Sequence, residues 1–325
     1  MLSSLSSNLS LPLPASASTI VPAPSQGSRI PALLYGTAWK KAQTEDLVIE
    51  AFQSGFVGVD TAAQPRHYQE QLVGSSLRLV LHRKALRRED MFIQTKYTPI
   101  DGQDLDMAPY RASDSIADQV RASVTSSLRN LSTREDYGDC GEDNNETYID
   151  CVLLHSPLDT VADTLAAWNV LEKFVPHRIR HLGISNINLN NLEIIYELVH
   201  IKPAVVQNRF YSRTHFDRDI RNFCVEKNMV YQAYWVLKGN PALLQSAPVL
   251  RIAQELAIQK EAALYCLVLG LDGVVVLNGT TKAERMRADV DAINKWRSWW
   301  TEGENEQIWE NILADFKILT DEELP

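Results

Sequence analysis

Hydrophobic positions follow two alternating patterns along the chain from Arg29 onward. Short runs of β-branched and aliphatic residues recur eight times, and longer segments with the period of an amphipathic helix lie between them. The short runs predict strands at 32–35, 57–60, 92–96, 151–155, 181–185, 205–208, 230–234 and 274–277. The longer segments predict helices at 44–54, 69–81, 113–131, 160–174, 189–199 and 218–227.

This alternation predicts an α/β fold with a parallel sheet, because crossover helices join parallel strands. An open, doubly wound sheet is the alternative. Eight unbroken repeats favour closure, and the first strand is not followed by the GxGxxG motif that a dinucleotide-binding open sheet usually carries. We therefore predict one (β/α)₈ TIM barrel over 29–325, with a C-terminal helical extension and a disordered Ser/Pro-rich tail over 1–28.

Two segments interrupt the regular spacing. The stretch 132–146 is acidic and rich in turn residues, which is typical of a solvated surface loop. The C-terminal stretch contains Trp296, Trp299 and Trp300, at a spacing that puts two of them on one helix face. We expect this helix to dock onto the barrel, although the tryptophans would also suit a substrate pocket.

Composition excludes several classes of function. A net charge of −9 and a pI near 5.3 argue against nucleic-acid binding, which needs a basic surface. No apolar run reaches the roughly 18 residues of a membrane span, and the N-terminal stretch lacks the basic residues of a targeting peptide. The four cysteines form no CxxC pair and no metal cluster, which fits a reducing compartment such as the cytoplasm.

Polar residues close the predicted strands, which is the end of a barrel where chemistry occurs. A polar group at the end of a strand of Val, Ile and Leu costs desolvation free energy unless it is paired or functional. Six successive strands with such ends therefore predict a site. The residues are Asp60, Lys96, His155, Ser185, Asn186, Gln207, Asn208 and Tyr234.

Three of these ends suggest a hydride-transfer site. Asp60 and Lys96 lie on neighbouring strands and are placed to form an ion pair at the barrel mouth. The cation is expected to lower the pKa of a nearby phenol, for which Tyr68 is the candidate. His155 is placed to donate a hydrogen bond to a substrate carbonyl, so the phenol can act as the acid at the carbonyl oxygen.

The segment 58–74, GVDTAAQPRHYQEQLVG, resembles the DTAxxYxxExxVG pattern of the aldo-keto reductases, and its DTAxQPRHY form suggests a fungal-type member. Further similar segments follow in the family's order: IPALLYGTAW, QTKY, YIDCVLLHSP, HLGISN and VVQNRFY. The resemblance extends from Ile30 to about Asp289. It implies a TIM barrel that reduces an aldehyde or ketone to an alcohol with NADPH, and usually a monomer.

The resemblance assigns the family's catalytic tetrad. Its aspartate, lysine and histidine correspond to Asp60, Lys96 and His155, and the histidine also contacts the substrate. Pro65 stands at the usual offset of the tyrosine, but Tyr68 precedes the residues that follow the family tyrosine. We assign the role of general acid to Tyr68. Tyr97 is the alternative phenol. The alternative for Tyr68 itself is a purely structural role, in which its ring packs on the barrel rim.

The resemblance also implies the cofactor and substrate contacts. The carboxamide of nicotinamide is expected at Ser185, Asn186 and Gln207, and its ring against Tyr234, with Leu237 in the same QAYWVL stretch. Trp39 corresponds to a tryptophan of the substrate pocket. The alternative is that Trp39 is buried in the hydrophobic core.

The eighth strand departs from the family pattern. A Lys-Ser pair that holds the 2′-phosphate in many members is replaced here by a turn of Gly279, Thr280 and Thr281. This turn opens a helix, and its N–H groups still suit an anion, while Arg285 offers a guanidinium. Lys282 fits a phosphate contact or a solvated side chain. We expect NADPH, with NADH as a possible cofactor.

Two other functions remain compatible with the sequence. The altered loop before Tyr68 and the changed phosphate turn leave room for a regulatory or sensing barrel that binds the cofactor with little turnover. A barrel enzyme that uses Lys96 as a Schiff base is the third alternative. The four tetrad residue types and the set Ser185, Asn186, Gln207 and Tyr234 favour the reductase.

Overall fold

The computed structural model describes residues 10–12, 29–83, 86–133 and 147–321. Eight parallel strands form a closed barrel, in which each strand pairs with the next along the chain and the last pairs with the first. This arrangement confirms the predicted TIM barrel and excludes the open sheet. The barrel strands are β3 (Leu33–Gly36), β4 (Gly58–Asp60), β5 (Phe92–Tyr97), β6 (Ile149–Leu154), β7 (Ile179–Ser185), β8 (Val205–Arg209), β9 (Val230–Tyr234) and β10 (Val274–Asn278).

Ten α-helices lie in the described part of the chain, and the six predicted helices agree with the first six of them to within about three residues. The two helices between the last two barrel strands were not predicted. Side chains at the helix starts explain several boundaries: Ser115, Thr160 and Asn188 each accept a hydrogen bond from a backbone N–H of the first turn. The helices are α1 (Thr44–Gln53), α2 (Glu70–His82), α3 (Ile116–Asn130), α4 (Val161–Glu172), α5 (Leu189–Leu198), α6 (Arg218–Glu226), α7 (Ala247–Glu255), α8 (Lys260–Leu269), α9 (Ala283–Trp300) and α10 (Asn305–Asp321).

Successive side chains of a strand point to opposite faces of the sheet, so the apolar residues form two cores. Alternate residues, such as Leu153 and Val275, fill the interior of the barrel, and the others pack between the strands and the helices. Close packing requires a small residue at Gly183, where a Cβ atom would lie 2.4 Å from Leu153 Cδ2. The interior is therefore a packed core, and in such barrels the site lies at the C-terminal ends of the strands.

The N-terminal segment differs in part from the prediction of a disordered tail. Strand β1 (Ser10–Pro12) pairs antiparallel with β2 (Arg29–Pro31). Ile30 of β2 is fully buried and belongs to the interior core, so this hairpin covers the N-terminal end of the barrel. The predicted tail is thus wrong for residues 10–12, because an extended Leu-Pro sequence still pairs at its available backbone groups. The rest of 1–28 lies outside the described residues.

The C-terminal helices pack onto the barrel, as predicted. Trp296 of α9 is buried, and its ring centroid lies 5.1 Å from that of Trp309 in α10. Helix α10 in turn packs against α7 and α9. The predicted surface loop 132–146 lies outside the described residues except for its first two positions. Within the described ranges, no helix is long and apolar enough to cross a membrane.

Candidate active site

A cleft of about 950 Å³ opens at the C-terminal ends of the barrel strands, where the sequence predicts the site. Most of the predicted site residues line this cleft. Three do not: Lys96 is buried against Asp60, Asn208 is buried beside Asp217, and Thr281 is exposed outside the cleft. The predicted residues that line it are Trp39, Asp60, Tyr68, His155, Ser185, Asn186, Gln207, Tyr234, Leu237, Gly279, Thr280 and Arg285.

The predicted ion pair lies at the base of the cleft. Asp60 ends β4 and Lys96 lies near the end of β5, so parallel pairing brings the two side chains together inside the barrel. Lys96 Nζ is 2.7 Å from both carboxylate oxygens of Asp60 and donates to the Thr61 carbonyl at 2.8 Å. Burial lowers the pKa of Lys96, and Asp60 opposes this effect.

Tyr68 completes a cluster with Lys96 and His155. The Lys96 ammonium lies 5.2 Å from the centre of the Tyr68 ring, and the His155 ring lies 5.9 Å from it in an edge-on arrangement. Tyr97, the alternative phenol, is buried outside the cleft, where its hydroxyl donates to Gln119 of α3 at 3.2 Å. The geometry therefore supports Tyr68 and excludes Tyr97, which points away from the barrel interior.

The pKa of Tyr68 shifts in the direction opposite to the sequence-based expectation. Burial raises this pKa, and the charge of Asp60 and the neighbouring Tyr234 raise it further. Lys96 fails to lower it because the Asp60 carboxylate, at 2.7 Å, neutralises the ammonium. Tyr68 is consequently held in its protonated form, which is the form that donates a proton.

His155 is a neutral side chain in this site. Burial lowers its pKa to about 3, and the positive charge of Lys96 contributes to the shift. His155 Nδ1 lies 2.7 Å from the Thr98 hydroxyl. When Thr98 donates this hydrogen bond, Nε2 carries the ring hydrogen and can donate it to a ligand. Thr98 is a positioning residue that the sequence analysis missed, and its place next to the QTKY segment is the signal that points to it.

The residues expected to hold the carboxamide are bound to one another. Ser185 Oγ donates to the Gln207 carbonyl at 2.6 Å, and Asn186 Nδ2 donates to the His155 carbonyl at 2.8 Å. The Tyr234 hydroxyl donates to Asn186 Oδ1 at 2.5 Å. Asn186 has a left-handed φ of 55°, a conformation that asparagine adopts more readily than most residues. This part of the cleft is thus preorganised.

Two buried glutamines below the cleft were missed by the sequence analysis. Gln94 and Gln232 are fully buried inside the barrel and hydrogen-bond to each other. Gln94 Nε2 also donates to Asp60 Oδ1 at 2.7 Å. The signal was present, because each glutamine precedes a site residue by two positions and therefore faces the same side of its strand.

A further missed residue lies at the turn expected to hold phosphate. Lys40 follows Trp39, is mostly buried, and donates through Nζ to the Gly279 carbonyl. Its Nζ lies 3.9 Å from the position that a Cβ atom of Gly279 would occupy, so the ammonium lies beside this turn. Arg285 also lines the cleft, whereas Lys282 is exposed outside it, as its interpretation as a solvated side chain predicts.

The same end of the cleft contains carboxylates. Glu261, Glu284 and Asp289 line it together with Arg285. Asp289 accepts a hydrogen bond from Asn278 Nδ2 at 2.7 Å, and burial raises its pKa to about 6. This carboxyl group therefore titrates close to neutral pH.

Aromatic side chains form the rim of the cleft. Trp39 is 64% exposed, and its ring packs on that of His67 with centroids 3.8 Å apart. The core position for Trp39 is therefore wrong, and the pocket interpretation fits. Trp235, which the sequence analysis missed, is 45% exposed and packs against the Arg209 guanidinium at 4.1 Å.

The chain is also similar in sequence to known proteins. The model of the aldo/keto reductase family matches residues 32–247. A member of aldo-keto reductase family 1 from Mus musculus is 26% identical over an alignment of 331 positions, which covers 90% of this chain and 88% of the mouse protein. An uncharacterized oxidoreductase from Schizosaccharomyces pombe is 27% identical over 271 residues, with coverage of 82% and 84%.

Solved structures share the fold at low sequence identity. The aldose reductase from Schistosoma japonicum superposes with a TM-score of 0.66 and 22% identity, over 92% of each chain. An aldo-keto reductase from Bombyx mori, solved in complex with NADP, gives a TM-score of 0.64 and 19% identity, over 86% of this chain and 92% of that one. From the family match, the barrel and the site at its mouth, we conclude that the chain belongs to the aldo/keto reductase family.

Proposed function

We propose that this protein reduces an aldehyde or ketone to an alcohol with NADPH, as a carbonyl reductase of the aldo/keto reductase family. One observation carries the proposal: the Tyr68 phenol lies between the Lys96–Asp60 ion pair and the neutral His155, in a large cleft. This arrangement places a proton donor and a hydrogen-bond donor together where a carbonyl oxygen can reach both.

The residues of the cleft fit a nicotinamide dinucleotide. The Tyr234 ring offers a flat wall for the nicotinamide, beside the carboxamide contacts Ser185, Asn186 and Gln207. Leu237 continues the apolar wall. Phosphate groups would lie near Lys40, Arg285 and the backbone N–H groups of Gly279, Thr280 and Thr281. When bound, the reduced cofactor supplies the hydride that adds to the carbonyl carbon.

The chain's own residues manage the proton and the carbonyl oxygen. His155 Nε2 donates a hydrogen bond to the oxygen and fixes its position. As the hydride adds to carbon, the C=O π electrons move to oxygen, and the Tyr68 O–H bond breaks to give its proton to that oxygen. The phenolate that remains lies beside the Lys96 ammonium, which Asp60 holds 5.2 Å from the centre of the Tyr68 ring. Trp39 forms a wall of the substrate side of the cleft.

NADPH is the proposed cofactor because two cations, Lys40 and Arg285, lie near the turn expected to hold phosphate. The structural neighbour from Bombyx mori was solved with NADP, which supports this choice. Tryptophan fluorescence titration with NADPH and with NADH tests it. The proposal expects tighter binding of NADPH, whereas equal binding would show that the turn does not select the 2′-phosphate.

Oxidation of NADPH, followed with a panel of aldehydes and ketones, tests the reaction. Substrate-dependent oxidation supports a reductase, and binding without turnover supports the regulatory alternative instead. Absence of nucleotide binding would contradict both.

Three further attributes are proposed with the reductase. A cytoplasmic location is supported by the buried, unpaired cysteines Cys151, Cys224 and Cys266. A fungal-type assignment is supported by the relative from Schizosaccharomyces pombe. A monomer is expected from the sequence resemblance, and size-exclusion chromatography tests it.

A further inference from the structure

Five buried polar side chains form one hydrogen-bonded network beneath the cleft, which we call the glutamine network. Each is at most 3% exposed. They come from four neighbouring or facing strands of the barrel, so the network crosses the barrel interior. Its members are Asp60, Gln94, Lys96, Gln207 and Gln232.

Asp60 Oδ1 accepts hydrogen bonds from three directions. Lys96 Nζ and Gln94 Nε2 each lie 2.7 Å away, and Gln207 Nε2 lies 3.1 Å away. The carboxylate that holds the catalytic lysine therefore also holds the glutamine expected to contact the nicotinamide.

Gln232 provides the other acceptor for Gln207. Gln232 Oε1 accepts from Gln207 Nε2 at 2.8 Å and from Gln94 Nε2 at 2.7 Å. Gln232 Nε2 donates to Gln94 Oε1 at 2.8 Å, so these two amides pair reciprocally. Donation to the Asp60 carboxylate fixes the orientation of Gln94, so the pairing fixes which atom of Gln232 faces Gln207. A flipped Gln232 would oppose donor to donor and acceptor to acceptor.

The network determines the orientation of the Gln207 amide. Both Nε2 hydrogens are used, one toward Asp60 and one toward Gln232. In the flipped orientation, Gln207 Oε1 would face two acceptor oxygens, Asp60 Oδ1 and Gln232 Oε1, without a hydrogen between them. Such contacts are costly where water cannot enter. Gln207 Oε1 is thus left as the acceptor on the cleft side of the amide, since Gln207 lines the cleft.

We propose that Gln232 and Gln94 are positioning residues that lock the Gln207 amide so that its oxygen accepts a hydrogen bond from the carboxamide N–H of the nicotinamide. This inference rests on the proposed cofactor and adds two residues to its site. Neither glutamine lines the cleft, so both act through Gln207.

Gln232→Leu tests the proposal because it removes the acceptor that holds the second Nε2 hydrogen. Two probes separate positioning from general damage: NADP⁺, which has the carboxamide, and 2′-phospho-ADP-ribose, which lacks the nicotinamide. We expect the Kd of NADP⁺ to rise about tenfold in the variant, the effect of about one lost hydrogen bond. The Kd of 2′-phospho-ADP-ribose should stay unchanged.

Val275→Ala is the matched control. Val275 lies opposite Gln232 in the register of β9 and β10 and is equally buried, but it belongs to the apolar interior core. The control should lower the denaturation midpoint without changing either Kd.

The outcomes separate this inference from the proposed function. If the wild-type protein binds neither probe, the cofactor proposal fails. If it binds both and Gln232→Leu weakens both equally or weakens neither, the positioning role is wrong while the cofactor proposal stands.

Discussion

Lys96 Nζ lies 2.7 Å from both carboxylate oxygens of Asp60, and both side chains are buried at the mouth of the barrel. A buried ion pair brings little net stability, because desolvation of the two charges offsets their attraction. Its position beside Tyr68 fits the proposed role in catalysis.

Tyr68→Phe should lower turnover by roughly 10²–10⁴-fold, because the variant lacks the proton donor. The Kd of NADPH should change little, since the aromatic ring remains in the cleft wall. Tyr97→Phe is the control: this hydroxyl contacts α3 outside the cleft, and its loss should affect stability and spare turnover. Steady-state kinetics and fluorescence titration measure both. Near-normal turnover of Tyr68→Phe would show that another group donates the proton.

The pH dependence of turnover should show no step from His155 near its ordinary pKa. Burial lowers the pKa of His155 to about 3, so the ring stays neutral across the range of about pH 5–8. His155 binds a proton more readily in the unfolded state than in the folded state. The free energy of unfolding should therefore fall as pH falls from 6.5 toward 3. His155→Gln should remove this loss. A step near pH 6.5 in kcat/KM that disappears in His155→Gln would contradict the neutral assignment.

Lys40→Met should weaken NADPH binding about tenfold, because it removes the ammonium beside Gly279. Equal weakening of NADH would place Lys40 at the diphosphate, and weakening of NADPH alone would place it at the 2′-phosphate. Lys282→Met is the matched control, since Lys282 is exposed outside the cleft. Identical affinities for Lys40→Met and wild type would remove Lys40 from the site.

Asp289→Asn should stabilise the protein at alkaline pH. Burial raises the pKa of Asp289 from 3.8 to about 6, so the folded state binds a proton that the unfolded state has lost. Ionisation of the buried Asp289 therefore lowers the free energy of unfolding as pH rises from 3.8 to about 6, and the full loss is reached above pH 6. We expect the variant to gain about 1–2 kcal/mol in the free energy of unfolding at high pH. Urea denaturation at several pH values measures this gain, which should vanish toward pH 4. Glu284→Gln, at an exposed position, is the control. A gain that is constant with pH would argue against titration of Asp289.

The barrel and the strand-end residues of the cleft could be predicted from local periodicity, and the other cleft residues from the resemblance to the family. Strand ends mark the active end of a barrel, so Asp60, Lys96 and His155 were located without coordinates. Closure of the strands then brings these positions together. The motif around Tyr68 led to the proposal of this phenol as the proton donor even though the loop before it is lengthened.

The site residues that were not predicted make contacts between positions that lie far apart in the chain. Gln94 and Gln232 are separated by 138 positions, and only barrel closure makes them partners. Lys40 reaches Gly279 across the junction of the first and last strands. The direction of the Tyr68 pKa shift was also wrong, because charge neutralisation of Lys96 by Asp60 and burial outweigh proximity to a cation.

Transfer of a labelled hydride tests the central claim most directly. The protein is incubated with NADPH that carries deuterium in the transferred position at C4 of the nicotinamide, together with the panel of aldehydes and ketones, and the alcohols are analysed by mass spectrometry. The account predicts an alcohol with one deuterium on the carbinol carbon, formed by the wild type and not by Tyr68→Phe. Binding of NADPH without labelled alcohol from any carbonyl of the panel would contradict it.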